Sequence, residues 1–413
     1  ITVPFPGNLY SALRCGDYIR AHYPDTKVAI GGGYVNTELR SLSDVRIFDY
    51  TDFILLDAGE LPLFRLVKYV KGEASGEQLL RTYRRENGKV RYDRGDGSQI
   101  AQADIGTPDY EGLLSDRYLS VIEMPNPMHR LWSDGRWNKL TLAYGCYWGQ
   151  CAFCDGSLDY IGRYDPNTAT DIADRIETLI RQTGERGFHF VDEAAPPALL
   201  RDVALEILKR GLTVVWWTNV RFEKSFTGDL CRLLRRSGCI AVSGGLEVAS
   251  DRLLKLINKG VTVKQVARVT RHFTEAGIMI HAYLMYGFPS ETDQETIDSL
   301  EIVRQLFENG LIQSAFWHRF ALTAHSPVGL QPERYAVRIT EPPFGGFARN
   351  DIAFEEADDG RHERFGSGLD KALFNYMHGI CLDAPLQSWF HIKVPPTRIA
   401  PDYIELLLQK DAI

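Results

Sequence analysis

The feature that most constrains the fold is a regular alternation of strand-like and helix-like segments between residues 137 and 325. Six apolar strand segments occur there, and helical segments that end near glycines separate them. The predicted strands are Leu140–Ala143, Gly187–Val191, Thr213–Thr218, Ile240–Gly244, Met279–Tyr286 and Ser314–Ala321. Such alternation indicates a parallel sheet in an α/β fold. Six βα units are too few for a closed eight-stranded barrel, so the sequence predicts an open, partial (β/α)6 barrel of the TIM type.

The segments on either side of the barrel differ from it in pattern. Residues 1–72 also alternate strand and helix and predict a doubly wound, Rossmann-like unit with too few strands to be complete. Ile1 reads as part of a strand already in progress, so we expect further chain before it. Residues 73–136 are polar and predict a linker, with a hairpin turn at Asn87–Gly88. Residues 326–413 are irregular and Pro-rich, and we expect them to cap the barrel and shape a substrate pocket.

Charge and composition narrow the classes of partner. The chain has 413 residues, is 44% hydrophobic and carries a formal net charge of −7. This acidic balance provides no general attraction for polyanions, so nucleic acid is not an expected partner. No apolar run approaches the roughly 20 residues that a membrane-spanning helix needs, so no membrane association is expected.

Three of the seven cysteines lie within nine residues, at Cys146, Cys151 and Cys154. This clustering is typical of a metal site in a reducing compartment and predicts a cytoplasmic protein. The cluster directly follows the first barrel strand, where the loops of a βα barrel form the active-site face. Three thiolates can hold three irons of a cubane cluster, whereas a structural zinc site takes four protein ligands. Buried or zinc-binding thiols remain the alternative.

This segment resembles the signature of radical S-adenosylmethionine (SAM) enzymes, which usually reads C-x3-C-x2-C with an aromatic residue before the last cysteine. Phe153 matches that aromatic residue, and the first spacing is one residue longer than usual. The resemblance covers roughly residues 137–325. It implies that Cys146, Cys151 and Cys154 hold a [4Fe-4S] cluster whose open iron binds SAM.

Further residues at strand ends resemble the SAM-binding motifs of the same family. Asp192 and Glu193 match the acidic motif that meets the SAM amino group, although they would also suit a helix N-cap. By resemblance, Asn219 would face the ribose and Arg221 the carboxylate, while the alternative for Arg221 is a pair with Glu223. Glu247 would touch cofactor or substrate, or pair with Lys259.

Three residues further along the barrel are candidates for a direct role in the reaction. Tyr286 at the end of the fifth strand would line the adenine site, although such aromatic residues are more often core. His318 and His325 would contact substrate or carry protons at the barrel mouth. The alternative for each is an ordinary, partly buried histidine.

The N-terminal unit resembles the second half of a cobalamin-binding domain of the kind that precedes the barrel in one large subclass of radical SAM enzymes. A glycine run after a strand also suits a nucleotide-binding fold or a plain turn. By resemblance, the cobalamin contacts would be Pro6, Asn8, Gly31, Gly32, Gly33, Tyr34 and Glu60.

The resemblance implies a radical SAM enzyme that cleaves SAM to a 5′-deoxyadenosyl radical, with cobalamin-dependent methyl transfer to an unactivated carbon of a natural product or peptide. An electron donor such as flavodoxin or ferredoxin would reduce the cluster. One alternative is radical oxidation, cyclisation or rearrangement without methyl transfer, with or without cobalamin. A tRNA methylthiotransferase is disfavoured, because we see neither its extra cysteines nor a basic RNA-binding module. A non-catalytic iron–sulfur or zinc protein is the alternative from another class.

Overall fold

The computed structural model describes residues 1–114, 117, 137–356 and 362–409 of the chain. Most of the second half of the predicted linker therefore lies outside the described residues. No helix of the described part is both long and apolar enough to cross a bilayer.

The N-terminal unit is a four-stranded sheet with three helices. β1 and β2 are parallel, as predicted for a doubly wound unit, and Thr2 forms a parallel bridge to Gly31 beside β1. The elements are α1 (Pro6–His22), β1 (Ala29–Ile30), α2 (Gly33–Glu38), β2 (Phe53–Leu55), α3 (Glu60–Val70), β3 (Thr82–Glu86) and β4 (Lys89–Asp93).

β3 and β4 form the predicted hairpin, and they also extend the N-terminal sheet. Asn87 and Gly88 have φ values of 51° and 73°, as a tight hairpin turn with two left-handed residues requires. β3 pairs antiparallel with β2. Tyr83 is buried in the core of this unit, and its hydroxyl donates to the Arg40 carbonyl at 2.6 Å. The sheet therefore continues to Asp93, past the expected start of the linker at residue 73, because the hairpin completes its core.

The predicted barrel is present as an open sheet of six parallel strands in the order β12-β11-β10-β9-β8-β5. Every strand pairs with the strands next to it in this series, so the units follow one another around the barrel. The elements are β5 (Asn138–Leu140), β6 (Ala143–Tyr144), α4 (Asp159–Gly162), β7 (Asp165–Pro166), α5 (Ala169–Thr183), β8 (Gly187–Phe190), α6 (Pro197–Lys209), β9 (Val215–Val220), α7 (Gly228–Arg236), β10 (Cys239–Glu247), α8 (Asp251–Leu256), α9 (Val263–Glu275), β11 (Met279–Tyr286), α10 (Asp293–Glu308) and β12 (Ser314–Arg319).

Strand parity separates the two faces of this sheet, because successive side chains point to opposite sides. Phe188, Phe190 and Trp216 are fully buried in the main core with the helices. On the opposite face His189 stacks on Trp217, and Tyr283 lies beside His281. This second face is the interior of the partial barrel.

The C-terminal segment packs around the barrel and reaches back to the N-terminal unit. α12 packs against β12 and α10, and α13 packs against α9 and α10. The Arg349 amide donates to the Glu38 carbonyl at 2.8 Å, and the Gly346 carbonyl accepts from the amides of Ser43 and Asp44, each at 2.7 Å. The elements are α11 (Pro327–Leu330), β13 (Val337–Ile339), β14 (Phe354–Glu356), α12 (Glu363–Met377) and α13 (Tyr403–Gln409).

Candidate active site

The cysteine loop is fixed to its surroundings by backbone hydrogen bonds. The Cys146 amide donates to the Ile161 carbonyl at 3.1 Å, and the Ala152 amide donates to the Ile257 carbonyl at 2.8 Å. Gly145 precedes the loop with φ +77°, and a Cβ at this position would lie 1.6 Å from the Arg163 carbonyl oxygen. Only glycine fits there, so the loop enters in one defined conformation.

The three cysteines line one cavity of about 310 Å³ at the carboxyl ends of the barrel strands. This is the edge at which barrels of this type carry their active sites. The other lining residues come from the cysteine loop, from the strand ends and from the segment after α8: Gly149, Gln150, Phe153, Ile161, Glu193, Ala194, Asn219, Val220, Arg221, Ser243, Gly244, Gly245, Glu247, Lys259 and Tyr283.

The environment of the cavity favours a thiolate at Cys151. A hydrogen bond from the Cys154 thiol lowers the pKa of Cys151 to about 6, and the charges of Lys259 and Arg221 act in the same direction. The same hydrogen bond raises the pKa of Cys154. The Arg221 Nη1 lies 3.9 Å from the Cys151 sulfur. Thiolate is the form of cysteine that binds iron, so this environment favours the metal-binding form of Cys151.

The three thiols suit a cluster better than a single ion. Within the described residues, no group of three or more His, Cys, Asp or Glu side chains is placed to hold one metal ion. Three thiols that share a cavity would instead each meet a different iron of a cubane.

A buried ion pair lines the cavity. The Lys259 Nζ donates to Glu247 Oε1 at 2.6 Å, and both side chains are about nine-tenths buried. Burial opposes the charge of Lys259, but the Glu247 carboxylate raises its pKa. Glu247 therefore forms the pair with Lys259 that was expected as the alternative, and it also lines the cavity.

The backbone at Glu247 is in the left-handed region, with φ +61°. Such a conformation is unusual for a residue with a side chain and recurs at functional sites. A Cβ on Gly245 would lie 1.9 Å from Glu247 Oε1 and 2.6 Å from Lys259 Nζ. The glycine thus leaves the space that the ion pair occupies above the strand.

Arg221 is buried and firmly oriented. Its Nε donates to Glu223 at 2.9 Å, and its guanidinium lies 4.5 Å from the Trp148 ring centre. The pair with Glu223 exists as the alternative reading had it, but Arg221 is only 4% exposed and lines the cavity rather than the surface. The Arg221 Nη2 donates to the Lys259 carbonyl at 2.5 Å. A guanidinium held by three partners is a prepared partner for a carboxylate.

Four other residues predicted to meet SAM also line the cavity, namely Phe153, Glu193, Asn219 and Glu247. Burial raises the pKa of Glu193. The Asn219 Nδ2 donates to the Asp192 carbonyl at 2.9 Å, while its buried Oδ1 has no hydrogen-bond partner among the described residues. An unsatisfied buried acceptor is costly, and a hydroxyl donor from a ligand would satisfy it.

Asp192 is the predicted SAM residue that does not line the cavity. Its carboxylate accepts from the amides of Leu142 and Ala143 at 3.0 and 2.7 Å. Burial raises its pKa to about 7. Asp192 thus joins the end of β8 to the segment that leads into the cysteine loop.

The three candidate catalytic residues lie apart from the cavity. Tyr286 is 9% exposed and belongs to the main core, where its hydroxyl lies against Gly366 of α12. Its position in the alternation of β11 points its side chain to the outer face of the sheet, away from the barrel interior. His325 Nε2 lies 3.1 Å from the Thr37 carbonyl, so this histidine bridges the barrel and α2. His318 is exposed on the inner face, 4.5 Å between ring centres from Phe316.

The residues predicted to contact cobalamin surround the carboxyl edge of the N-terminal sheet. Pro6, Asn8, Gly33 and Glu60 are exposed, whereas Tyr34 is buried. A Cβ on Gly32 or Gly33 would meet the backbone of Val3 or Pro4 within 3 Å, so these two glycines are needed for packing of the chain itself. Gly31 lies between them and β1. The open edge is the place where such sheets bind ligands and fits a large cofactor, although the glycine run has its own structural cause.

Sequence reasoning missed Tyr283 and Ser243 as cavity residues. Strand pairing places Asn219, Ser243 and His281 in one row on the inner face of the sheet. Tyr283 lies two residues after His281 and therefore points to the same face. Parity along β11 is the signal that favours Tyr283 over Tyr286, because Ala282, Leu284 and Tyr286 form the apolar outer face.

The barrel region matches a known family. Residues 140–303 match the radical SAM superfamily. The barrel is therefore a radical SAM domain, and members of that superfamily use a [4Fe-4S] cluster and SAM.

Two relatives share sequence with this chain. An uncharacterized methyltransferase of Pyrococcus horikoshii is 25% identical over 258 residues, which are 62% of this chain and 53% of that protein. The anaerobic magnesium-protoporphyrin IX monomethyl ester cyclase of Rubrivivax gelatinosus is 28% identical over 210 residues, which are 50% of this chain and 35% of the cyclase. The chain thus spans about a third to a half of the length of these relatives.

Two solved structures share the fold of both units. The cobalamin-dependent SAM radical enzyme OxsB, with aqua-cobalamin and SAM bound, has a TM-score of 0.66 at 15% identity, over 90% of this chain and 57% of OxsB. The radical SAM methyltransferase TsrM of Kitasatospora setae, with cobalamin and a [4Fe-4S] cluster bound, has a TM-score of 0.60 at 16% identity, over 82% of this chain and 66% of TsrM. At these identities the likeness is one of fold.

Proposed function

We propose that this protein is a cobalamin-dependent radical SAM enzyme that transfers a methyl group to an unactivated carbon of a natural product or peptide. The observation that carries the proposal is the single cavity in which Cys146, Cys151 and Cys154 meet the polar ends of strands β8 to β10. The fold shared with OxsB and TsrM over both units supports the cobalamin part.

Each cofactor group has a candidate partner in the cavity. The three cysteines would hold the cluster, and Arg221 would pair with the SAM carboxylate, since its guanidinium is already oriented by Trp148 and Glu223. Glu193 would accept from the SAM amino group, and Asn219 Oδ1 would accept from a ribose hydroxyl. When bound, the cluster and SAM would supply a 5′-deoxyadenosyl radical, and cobalamin would supply the methyl group. The protein would position these groups and exclude water.

Cobalamin would occupy the exposed carboxyl edge of the N-terminal sheet. Asn8 and Glu60 offer exposed polar groups there, and Gly59 has open space around it. His325 links α2 to the segment after β12, and the Ser157 hydroxyl of the cysteine loop donates to the His325 carbonyl at 2.8 Å. The edge of the sheet and the cysteine loop are therefore joined through one residue. His325 would thus position the two parts of the site and take no direct part in the chemistry.

A second candidate is radical cyclisation or oxidation without methyl transfer. The specific observation in its favour is the relationship to the Rubrivivax gelatinosus cyclase, which extends over half of this chain. Radical formation would then take place in the same cavity, and only the reaction of the substrate would differ.

The two candidates separate in one anaerobic experiment. The reconstituted protein is incubated with hydroxocobalamin, desalted, examined by absorption spectroscopy and then turned over with SAM and candidate substrates. A retained corrinoid band beside the iron–sulfur absorption, followed by products heavier by a methyl group, supports the proposal. A cluster without retained corrinoid favours the second candidate, and a protein that binds no iron overturns both.

A further inference from the structure

The inner face of the partial barrel carries exposed aromatic side chains on β11 and β12, next to the cysteine cavity. Strand pairing places Tyr283 opposite Phe316, and Met285 opposite His318. Tyr283 lines the cavity, and its ring centre lies 6.3 Å from that of His318. Phe316 is 43% exposed even though it points into the interior. A closed barrel fills this space with branched aliphatic side chains, whereas here the Phe316 ring is open to contact.

A second pair of rings lies on the other half of the sheet. His189 and Trp217 stack with ring centres 3.5 Å apart and planes 10° apart. Burial lowers the pKa of His189 to about 3, so this ring is neutral at physiological pH. The interior therefore carries flat rings on β8 and β9 as well as on β11 and β12, which is the arrangement that accepts a planar molecule.

One cation faces the same interior from the edge of the sheet. The Lys139 Nζ donates to His189 Nδ1 at 3.0 Å, and among the described residues no carboxylate opposes the lowering of the Lys139 pKa by burial. β5 and β12 are the two edge strands of the sheet, so Lys139 and Phe316 belong to the two strands that border its open side. The carboxylates Glu193 and Glu247 lie at the cavity end instead. At that end the two carboxylates are matched by Arg221 and Lys259, whereas Lys139 is a cation without a matching carboxylate near β5 among the described residues.

From this arrangement we propose that the substrate is a planar, unsaturated molecule with an acidic group. Its ring system would lie on Phe316, His318 and Tyr283, and its acidic group would meet Lys139. The carbon that reacts would then lie beneath the cysteine cavity. This inference rests on the proposed function for the reaction itself, but the binding surface can be tested without turnover.

The test compares three probes on the reconstituted enzyme by isothermal titration calorimetry. The probes are 2-naphthoate, which is planar and acidic, decahydro-2-naphthoate, which is acidic but not planar, and 2-naphthylmethylamine, which is planar but cationic. We expect 2-naphthoate to bind at least about 5-fold more tightly than either of the others, as stacking and one charge contact would give.

Two variants identify the surface. Phe316→Leu should weaken 2-naphthoate about 3- to 10-fold, because it removes a stacking ring at an exposed position. Lys139→Met should weaken 2-naphthoate about 10-fold and should not weaken 2-naphthylmethylamine, whose ammonium the lysine no longer repels. The matched controls are Phe374→Leu, a similarly exposed phenylalanine on α12, and Lys71→Met, an exposed lysine after α3.

Equal binding of the three probes, no binding of 2-naphthoate, or equal effects of the variants and their controls would overturn this inference. Formation of 5′-deoxyadenosine from SAM is measured in the same preparation. If SAM is cleaved but the probes do not discriminate, the substrate inference fails and the proposed function stands. If the probes discriminate but SAM is never cleaved, the binding surface stands and the proposed function fails.

Discussion

The thiol of Cys151 lies beside two cations whose own positions are fixed by other partners. Lys259 is held by Glu247, and Arg221 is held by Glu223 and Trp148. Because each cation has a partner, the cavity is not a site of excess positive charge. The hydrogen bond from Cys154 and then the two cations lower the pKa of Cys151, while the carboxylates limit the cost of burying the cations.

Loss of one cysteine tests the assignment of the iron ligands. Cys154→Ala should lower the iron content from about four per chain to a small fraction, since a cubane held by two thiolates is labile. Cys381→Ala, which changes an exposed cysteine outside the cavity, should keep full iron content. Iron and sulfide analysis after anaerobic reconstitution provides the measurement. Full iron in the Cys154 variant would contradict the assignment.

The Glu247–Lys259 pair should reveal its cost when one partner is removed. Lys259→Met leaves a buried carboxylate unpaired, and we expect a loss of about 3 to 5 kcal/mol in the free energy of unfolding. The double variant Glu247→Gln with Lys259→Met should recover much of that loss, because no charge is then left unpaired. Chemical denaturation of Lys259→Met, of Glu247→Gln and of the double variant measures this coupling. Additive losses would show that the two side chains act independently.

At the scale of elements, strand positions follow from sequence far better than the roles of single side chains. Met279–Tyr286 is predicted with the bounds observed for β11, because apolar runs between helices define parallel strands. The face of each strand residue also follows from parity, which explains why Tyr286 is core. Asp192 could not be placed from sequence, since its partners Leu142 and Ala143 lie fifty residues away in another strand segment.

The same limit applies to contacts between units. His325 meets Thr37 across 288 residues of chain, and no local pattern predicts that contact. Arg221 illustrates the opposite case, since it lines the cavity and also pairs with Glu223, the partner that the sequence offered as the alternative. Motifs at strand ends therefore predict membership of the site, whereas hydrogen-bond partners need the tertiary structure.

The loop after β11 contains a buried carboxyl that should make stability depend on pH. Glu291 accepts from the amides of Gly287 and Phe288 and from the Thr296 hydroxyl. Burial raises its pKa to about 7, while the nearby His362, which pairs with Glu356 at 3.1 Å, opposes that rise. The folded state thus binds a proton that the unfolded state releases near pH 4.5.

Stability should therefore be greatest at the acidic end of the range between pH 5 and 8 and fall as pH rises towards and through 7. The raised pKa of His362 gives the same sign, because its contribution is also lost as pH rises. Glu291→Gln keeps the accepting oxygen for both amides. It should reduce the total change in the free energy of unfolding between pH 5 and 8 by roughly 2 kcal/mol. Denaturation at several pH values measures the slope, with the exposed Glu333→Gln as control. A slope unchanged in the Glu291 variant would refute this reading.

At the scale of the whole molecule, the C-terminal segment fastens the N-terminal sheet to the barrel. The Gly346 carbonyl accepts two amide hydrogen bonds from the N-terminal unit, the Arg349 amide donates to the Glu38 carbonyl, and His325 adds a fourth contact. A cofactor at the carboxyl edge of the N-terminal sheet and one in the cysteine cavity would need such a fixed relation, because radical chemistry depends on the positions of the reacting atoms.

Gly346→Ala should loosen this fastening without disturbing the cluster. Gly346 has φ +82°, and a Cβ there would lie 2.6 Å from the Ser43 hydroxyl. We expect faster hydrogen exchange at the amides of Ser43 and Asp44, which donate to Gly346, and unchanged exchange at Ala152 in the cysteine loop. Gly345→Ala, whose added Cβ would meet nothing within 4 Å, is the matched control. Equal exchange in the two variants would show that the loop does not fasten the units.

The most direct test of a radical SAM function is the formation of 5′-deoxyadenosine by the reconstituted protein with SAM and dithionite under anaerobic conditions. We predict that the wild-type protein and Cys381→Ala produce it, and that Cys151→Ala does not, because the variant lacks a cluster ligand in the cavity. A wild-type protein that binds about four irons per chain yet never cleaves SAM would contradict the proposed function.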